Sequence, residues 1–160
     1  MDHVDRILEQ WGVERPDLDP WPMAVMGRLA RAAGVLSAEL DRTFARHGID
    51  ASTFDVLATL RRQGTPHRLA PAVLAQESMI TTSAVAQRLN RLEALGLVTR
   101  HPRPEDGRGK LVELTAAGRE LVDRVLPDHL ATEEALLAPL DARERRTLAE
   151  LLGRLGPTSA

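Results

Sequence analysis

The sequence predicts a mainly α-helical chain with one small β-wing, in the arrangement of a winged helix-turn-helix. Three features of residues 81–114 predict this fold. Apolar side chains recur every three or four positions over residues 82–95, which is the spacing of a helix with one buried face. Gly96 follows where a left-handed residue commonly ends a helix. Two strand-like runs, residues 97–100 and 110–114, come next and are joined by a loop rich in Pro, Gly and Arg.

Five helices are predicted ahead of this hairpin, counting the one over residues 82–95. A short extra N-terminal helix covers residues 1–12 and is ended by Gly12 and the prolines that follow. A longer helix covers residues 22–48, and Asp50 caps the next one. Pro71 starts a short helix that we expect to be the first helix of the helix-turn-helix, although Ala70 stands where a capping serine is usual. The apolar stripe that we expect to face inward on the long helix is Val25, Met26, Leu29, Ala33, Leu36, Leu40 and Phe44.

Two leucine-rich helices are predicted after the hairpin. Thr115 caps the first, which Pro127 should interrupt without ending, and Asp141 begins the second as a capping box with Glu144. Residues 22–48 and 115–156 carry more apolar surface than a short chain can bury on itself. We therefore expect these helices to form a homodimer around a DNA-binding lobe at residues 50–114.

Composition limits the function. The chain has 160 residues and no cysteine, which excludes disulfides, thiol chemistry and thiolate metal sites. It has no long apolar run and no cleavable leader, so we expect a cytoplasmic protein. Its five histidines lack ligand-like spacing, and no nucleophile, base or phosphate loop is assembled. We therefore predict no metal, no cofactor and no enzymatic activity.

Charge is divided unevenly along the chain. Residues 61–110 hold nine Arg or Lys against four Asp or Glu, a net charge of +5, whereas the remainder holds twelve against nineteen, a net charge of −7. This division concentrates a field that attracts phosphate on one lobe. With a helix-turn-helix and a basic wing in that lobe, the partner that the sequence predicts is double-stranded DNA. The candidate DNA-binding residues are Thr82, Ser83, Gln87, Asn90, Arg91, Arg103, Arg108 and Lys110.

The wing and the helix after it carry a family resemblance. Asp106-Gly107-Arg108, followed by LVELTAAGRELV, is similar to the D-x-R wing and the L-T-x-x-G helix start of the MarR family of bacterial transcription regulators, and the likeness extends over residues 23–155. It implies a dimeric regulator, expected to be a repressor, on a pseudo-palindromic operator. It also implies that Arg108 enters the minor groove and that Asp106 orients the wing arginine. The plainer interpretation is a solvated ion pair in a turn.

A narrower resemblance concerns ligand binding. The leading helix that ends in Trp, and the stretch VLPDHLATEEALLAPLDARERRTLAEL, are similar to the urate-responsive branch that includes the HucR and PecS regulators. Carried over, the resemblance implies ligand contacts from Trp11, Asp55, Arg88 and Arg100. An indole to stack on and arginines to pair with oxygens suit a flat purine anion. Asp55 would be useful if it held an arginine in the ligand-free protein.

Each of these four residues also has an ordinary structural interpretation. Trp11 is equally suited to core packing, Asp55 to an exposed helix position, and Arg88 or Arg100 to a phosphate contact. Two alternatives to urate therefore stay open. The same arginines would accept a polycarboxylate of the citrate or aconitate type, which does not need Trp11. The protein would otherwise be a constitutive DNA binder without any effector.

Overall fold

The computed structural model of the chain describes residues 1–79, 82–102 and 109–155, except for the side chain of Thr82. The chain forms two compact units, Met1–Glu39 and Leu40–Ala160. The elements in chain order are α1 (His3–Glu14), α2 (Pro22–Arg46), α3 (Ala51–Arg61), β1 (Arg68–Leu69), α4 (Pro71–Glu77), α5 (Thr82–Ala94), β2 (Val98–Pro102), β3 (Lys110–Leu114), α6 (Ala116–Leu136) and α7 (Ala142–Leu155).

In the first unit, α1 is fixed by a capping box and by an arginine of α2. The Asp2 carboxylate accepts hydrogen bonds from the backbone N–H groups of Val4 (2.7 Å) and Asp5 (3.0 Å), and the Asp5 carboxylate accepts one from the Asp2 N–H (2.8 Å). Arg28 donates to both carboxylates. Our prediction that Gly12 ends this helix was wrong, because α1 continues to Glu14 and stops where the next proline restricts the backbone.

In the second unit, the core lies between the helices and the sheet. Its fully buried centre comes from α3, α4, α5, β3 and α6, and consists of Val56, Leu57, Leu60, Leu74, Leu92, Val112 and Val125. The end of α2 joins this core through Phe44, which stacks on Phe54 with ring centroids 4.9 Å apart. Thr43 and Thr132 share a hydrogen bond of 2.8 Å between their hydroxyl groups.

The sheet has three antiparallel strands in the order β1-β3-β2. The predicted hairpin is present, with Val98 opposite Leu114 at its base and Pro102 opposite Lys110 at its far end. The additional strand, β1, is only two residues long and pairs Leu69 with Val112. A strand this short has no alternation of apolar and polar residues, and the sequence therefore did not predict it.

The first turn of α6 lies against the end of α5 and the start of the wing. Thr115 caps α6, because its hydroxyl accepts a hydrogen bond from the Gly118 N–H at 3.0 Å. A Cβ atom on Gly118 would lie 2.1 Å from the carbonyl oxygen of Leu97, well inside van der Waals contact. The glycine of the L-T-x-x-G motif is therefore required by close approach of two backbones. Pro127 lies inside α6, as predicted.

Our prediction that the apolar stripe of α2 faces inward was wrong for most of its length. In the single chain, Val25, Met26 and Leu36 have exposed fractions of 44%, 61% and 38%, and only the end of the stripe, at Phe44, is buried. The structure describes all of α7, and none of its residues is buried. Both helices thus present apolar surface that the described residues leave exposed. Within the described ranges, no helix has the length and apolarity needed to cross a membrane.

Candidate nucleic-acid interface and ligand-binding residues

Helix α5 has one buried face and one exposed polar face. Val85, Leu89 and Leu92 are 2%, 2% and 0% exposed and hold the helix against the core. Leu95, the last residue of the range predicted for this helix, is 61% exposed because α5 ends at Ala94. Four of the predicted DNA contacts are exposed and lie on the side of α5 away from the core: Ser83, Gln87, Asn90 and Arg91.

The turn before α5 is held by a carboxylate of α3. The backbone N–H of Met79 donates to the Asp55 carboxylate at 2.8 Å. At the other end of α4, Ala70 provides no side-chain cap, so the substitution noted in the sequence does not prevent the helix from forming at Pro71. Asp55 therefore links α3 to the turn of the helix-turn-helix.

The wing is described at its base. Lys110 is exposed at the start of β3, where it pairs with Pro102. Arg68 and Glu113 form an ion pair across β1 and β3. The remaining predicted wing residues, Arg103, Asp106 and Arg108, lie outside the described residues, as does the side chain of Thr82, and their roles stay predictions.

Arg88 lies on one flank of α5 and pairs with the residue that caps α3. Its Nη1 is 2.8 Å from Oδ2 of Asp50, and the other carboxylate oxygen of Asp50 accepts a hydrogen bond from the Thr53 N–H at 2.7 Å. Partial burial raises the pKa of Asp50, but the hydrogen bonds from Thr53 and the positive charges of Arg88 and Arg91 outweigh it and hold the pKa below its ordinary value. The Asp50 carboxylate is therefore ionised at neutral pH.

Arg100 holds the opposite flank of α5. From β2 it donates a hydrogen bond of 2.7 Å to the side-chain oxygen of Asn90 and lies 3.1 Å from the Glu93 carboxylate. Asn90 and Glu93 lie about 140–160° around the helix from Arg88. The ion pairs of the two candidate ligand-binding arginines thus lie on opposite flanks of α5. In the part of the chain that the structure describes, neither of them pairs with Asp55.

Trp11 belongs to the first unit and lies near the end of α1. It is 45% exposed, and it lines a cavity of about 340 Å³ together with Arg15, Leu18, Asp19, Pro20 and Met23. Trp11 is therefore not part of the buried core of the single chain. Among the described residues, no group of three or more His, Asp or Glu side chains is placed to hold a metal ion.

Sequence reasoning missed the carboxylates that hold the two arginines. Asp50 was interpreted as a helix cap alone, and Glu93 received no role. The spacing within α5 did place Glu93 and Asn90 on one side and Arg88 on the other, so the flanks could have been derived. The partners across them depend on how α3 and β2 pack, which the sequence does not specify.

A short helix, a turn, a second helix with an exposed polar face and an antiparallel hairpin define a winged helix-turn-helix, the fold of a large class of DNA-binding transcriptional regulators. Residues 47–109 match the family model described as MarR family. The chain is also 40% identical over 152 residues to the HTH-type transcriptional regulator PecS of Dickeya dadantii, a match that covers 95% of this chain and 92% of that protein. The chain belongs to the MarR family.

Solved structures agree with this assignment. The MarR family regulator Sco3205 from Streptomyces coelicolor, solved in complex with DNA, is 28% identical with a TM-score of 0.79, over 86% of this chain and 90% of that one. BpsR of Bordetella bronchiseptica, whose DNA binding is regulated by 6-hydroxynicotinic acid, is 27% identical with a TM-score of 0.77, over 84% of this chain and 94% of that one. The protein is therefore a DNA-binding transcriptional regulator, and its relatives are regulators, not enzymes.

Proposed function

We propose that the protein is a cytoplasmic repressor that binds a pseudo-palindromic operator as a homodimer and is released from DNA by a small anionic ligand, with urate as the first candidate. The observation that supports the proposal is that both arginines hold α5: Arg88, on one flank of α5, pairs with Asp50 of α3, and Arg100 of β2 pairs with Glu93 on the opposite flank. These two arginines are candidate ligand contacts, and α5 carries the candidate DNA contacts. A ligand that recruits either arginine would therefore disturb the element that reads DNA.

The exposed apolar surface supports the homodimer. Leu148, Leu151, Leu152 and Leu155 of α7 are between 39% and 66% exposed, and the stripe on α2 is exposed as well. Exposed apolar stripes of this length on two helices are typical of surfaces that bury each other on association. A dimer would also present two copies of α5 to successive major grooves about one helical turn (~10 bp) apart.

The chemistry of the candidate ligand residues supports an aromatic anion. Trp11 offers a half-exposed indole face beside a cavity, and Arg88 and Arg100 offer guanidinium groups that pair with planar oxygen anions. The regulation of BpsR by 6-hydroxynicotinic acid, also a flat heteroaromatic acid, favours this ligand class. Asp55 is the fourth candidate.

Release would follow from a preference of the ligand for one of two conformations. Each arginine already has a carboxylate partner, so a ligand must compete with Asp50 for Arg88 or with Glu93 for Arg100. Whichever pair it breaks, α5 loses a contact on that flank. A coupling of about 1–3 kcal/mol between ligand and operator would change operator affinity roughly 5- to 150-fold.

A titration of fluorescent DNA from upstream of the protein's own gene, with and without urate, tests the proposal. Urate should lower operator affinity, and Trp11→Ala should blunt its effect while leaving ligand-free DNA binding unchanged. Trp11→Ala is a cleaner test than Asp55→Ala, because Asp55 also holds the Met79 N–H. If calorimetry detects no binding of urate to the wild-type protein, urate is rejected as the ligand.

The same titration separates the other candidates. A citrate- or aconitate-type polycarboxylate would use the arginines and not the indole, so its effect should survive Trp11→Ala. If the protein is a constitutive DNA binder, neither purines nor organic acids should change its affinity for the operator.

Arg108 carries the proposed minor-groove contact of the wing. Arg108→Ala should weaken operator binding in a salt-matched titration, while the dimer stays folded by circular dichroism. An unchanged affinity would remove the wing from the DNA interface.

A further inference from the structure

Asp50 connects the start of α3 to the helix that carries the DNA contacts. One of its carboxylate oxygens accepts the Thr53 N–H at 2.7 Å, and the other pairs with Arg88 at 2.8 Å. The Arg88 side chain is 20% exposed and that of Asp50 is 49% exposed, so the pair lies at the edge of the core and is partly shielded from solvent.

Arg88 is placed on the flank of α5 and not on its outer face. It lies about 140° around the helix from Ser83 and about 160° from Asn90, which are both exposed on that outer face. It is directed instead to the cap of α3. In this conformation Arg88 serves a contact within the protein and does not point with the candidate DNA contacts.

The packing of α5 leaves a role for such a contact. Val85, Leu89 and Leu92 attach the helix to the core along one apolar line. Contacts on the two flanks add resistance to rotation of α5 about its own axis. Arg100 supplies one of them from β2, and Asp50 supplies the other from α3 through Arg88.

We infer that Asp50 is a positioning residue for DNA binding, which fixes the orientation of α5 by holding Arg88. The inference rests on the proposed function, because operator affinity is its readout. Electrostatics alone gives the opposite expectation. Removing a carboxylate near a DNA-binding surface removes a repulsion and should strengthen binding to a polyanion. Weaker binding on neutralising Asp50 is therefore diagnostic of positioning.

The test is operator binding by Asp50→Asn, measured by fluorescence anisotropy over a series of salt concentrations. Asn caps a helix as well as Asp does, so α3 keeps its first hydrogen bond while the ion pair is lost. We expect operator affinity to fall about two- to fivefold, the effect of losing a partly exposed ion pair. Glu120→Gln is the matched charge control, since Glu120 is exposed on α6 and its side chain, within the described ranges, makes neither a hydrogen bond nor an ion pair. Its affinity should not fall.

Arg88→Gln provides a second route to the same loss. It should weaken binding by a similar factor, and the double variant should bind no more weakly than the worse single variant, because both changes break one contact. For Arg88→Gln, the slope of log affinity against log salt concentration should equal that of the wild type. A slope reduced by about 0.9 would mean that Arg88 contacts a phosphate, and it would overturn the inference.

The outcomes separate this inference from the proposed function. If wild type binds the operator and Asp50→Asn binds it equally or more tightly, the inference is wrong and the proposed function stands. Additive losses in the double variant lead to the same conclusion. A wild-type protein that does not bind the operator contradicts the proposed function itself. Should Asp50→Asn fail to fold by circular dichroism, Arg88→Gln decides the matter, because it leaves the cap of α3 intact.

Discussion

Gly118 lies where the first turn of α6 approaches the backbone that follows α5. The Cβ of Gly118→Ala would meet the Leu97 carbonyl oxygen at 2.1 Å and the Leu114 side chain at 2.8 Å. Because the first of these neighbours is backbone, α6 must shift to accept the methyl group. We expect the free energy of unfolding, measured by urea denaturation, to fall by about 1–3 kcal/mol.

Gly153→Ala is the control for this prediction. Gly153 also lies in a helix, but an added Cβ would have no neighbour within 4 Å. The change should leave stability unchanged or raise it by up to about 1 kcal/mol through helix propensity. Equal effects of the two substitutions would show that close approach at Gly118 is not what requires the glycine.

At the residue scale, the sequence did not show what the two candidate ligand-binding arginines contact within the protein. Arg88 and Arg100 were identified by resemblance, and the polarity of α5 followed from its spacing. Their partners were not identified, because Asp50 has an adequate local explanation as a helix cap and Asn90 an adequate one as a DNA contact. When one side chain has two roles, sequence reasoning finds the role that has a local sequence pattern and misses the role that depends on a distant partner.

The second scale is that of the element, and α5 is the element that connects fold to function. Arg91 is exposed on its outer face, one turn from Gln87 and close to Asn90. If α5 enters the major groove, the Arg91 guanidinium should contact a phosphate at the groove edge. Arg91→Gln should then weaken operator binding and reduce the slope of log affinity against log salt by about 0.9.

Arg88→Gln serves as the comparison for Arg91→Gln, because it removes the same charge from the same helix at a flank position. The two variants should differ in their salt slopes, which fall for Arg91→Gln and not for Arg88→Gln. Identical slopes would contradict the division of α5 into an outer face and flanks.

Element boundaries were predicted where capping chemistry marks them. Thr115 begins α6, and Asp141 begins α7 with the reciprocal hydrogen bond from its own N–H to Glu144 at 2.8 Å. The predictions failed where no local signal exists. Gly12 is tolerated inside α1, and the pairing of β1 arises from the position of β3 and not from its own two residues.

At the scale of the whole molecule, the exposed leucines of α7 are apolar surface that the single chain does not bury. Leu152→Glu would place a charge in an apolar interface, and we expect it to convert a dimer into a monomer in sedimentation equilibrium. Arg146→Glu introduces the same acidic side chain about 120° around α7 from Leu152, on its polar face, and should leave the dimer intact. A wild-type monomer at micromolar concentration would contradict the dimer.

An apolar stripe can be predicted from sequence, but the surface that covers it cannot. The spacing of Val25, Met26 and Leu36 correctly predicts one face of a helix, yet these side chains are exposed in the single chain. Periodicity is the same whether a face is buried by its own chain or by a second copy. The surplus of such surface at both ends of the chain was the indication of association.

The central claim is that paired α5 helices read an operator. Its most direct test is hydroxyl-radical footprinting of the protein on a DNA fragment that it binds. Two copies of α5 predict two protected stretches whose centres are about one helical turn (~10 bp) apart on one face of the duplex, and Asp50→Asn should weaken both equally. A single protected stretch would contradict this claim. So would even protection along the whole DNA fragment, with no separate protected stretches.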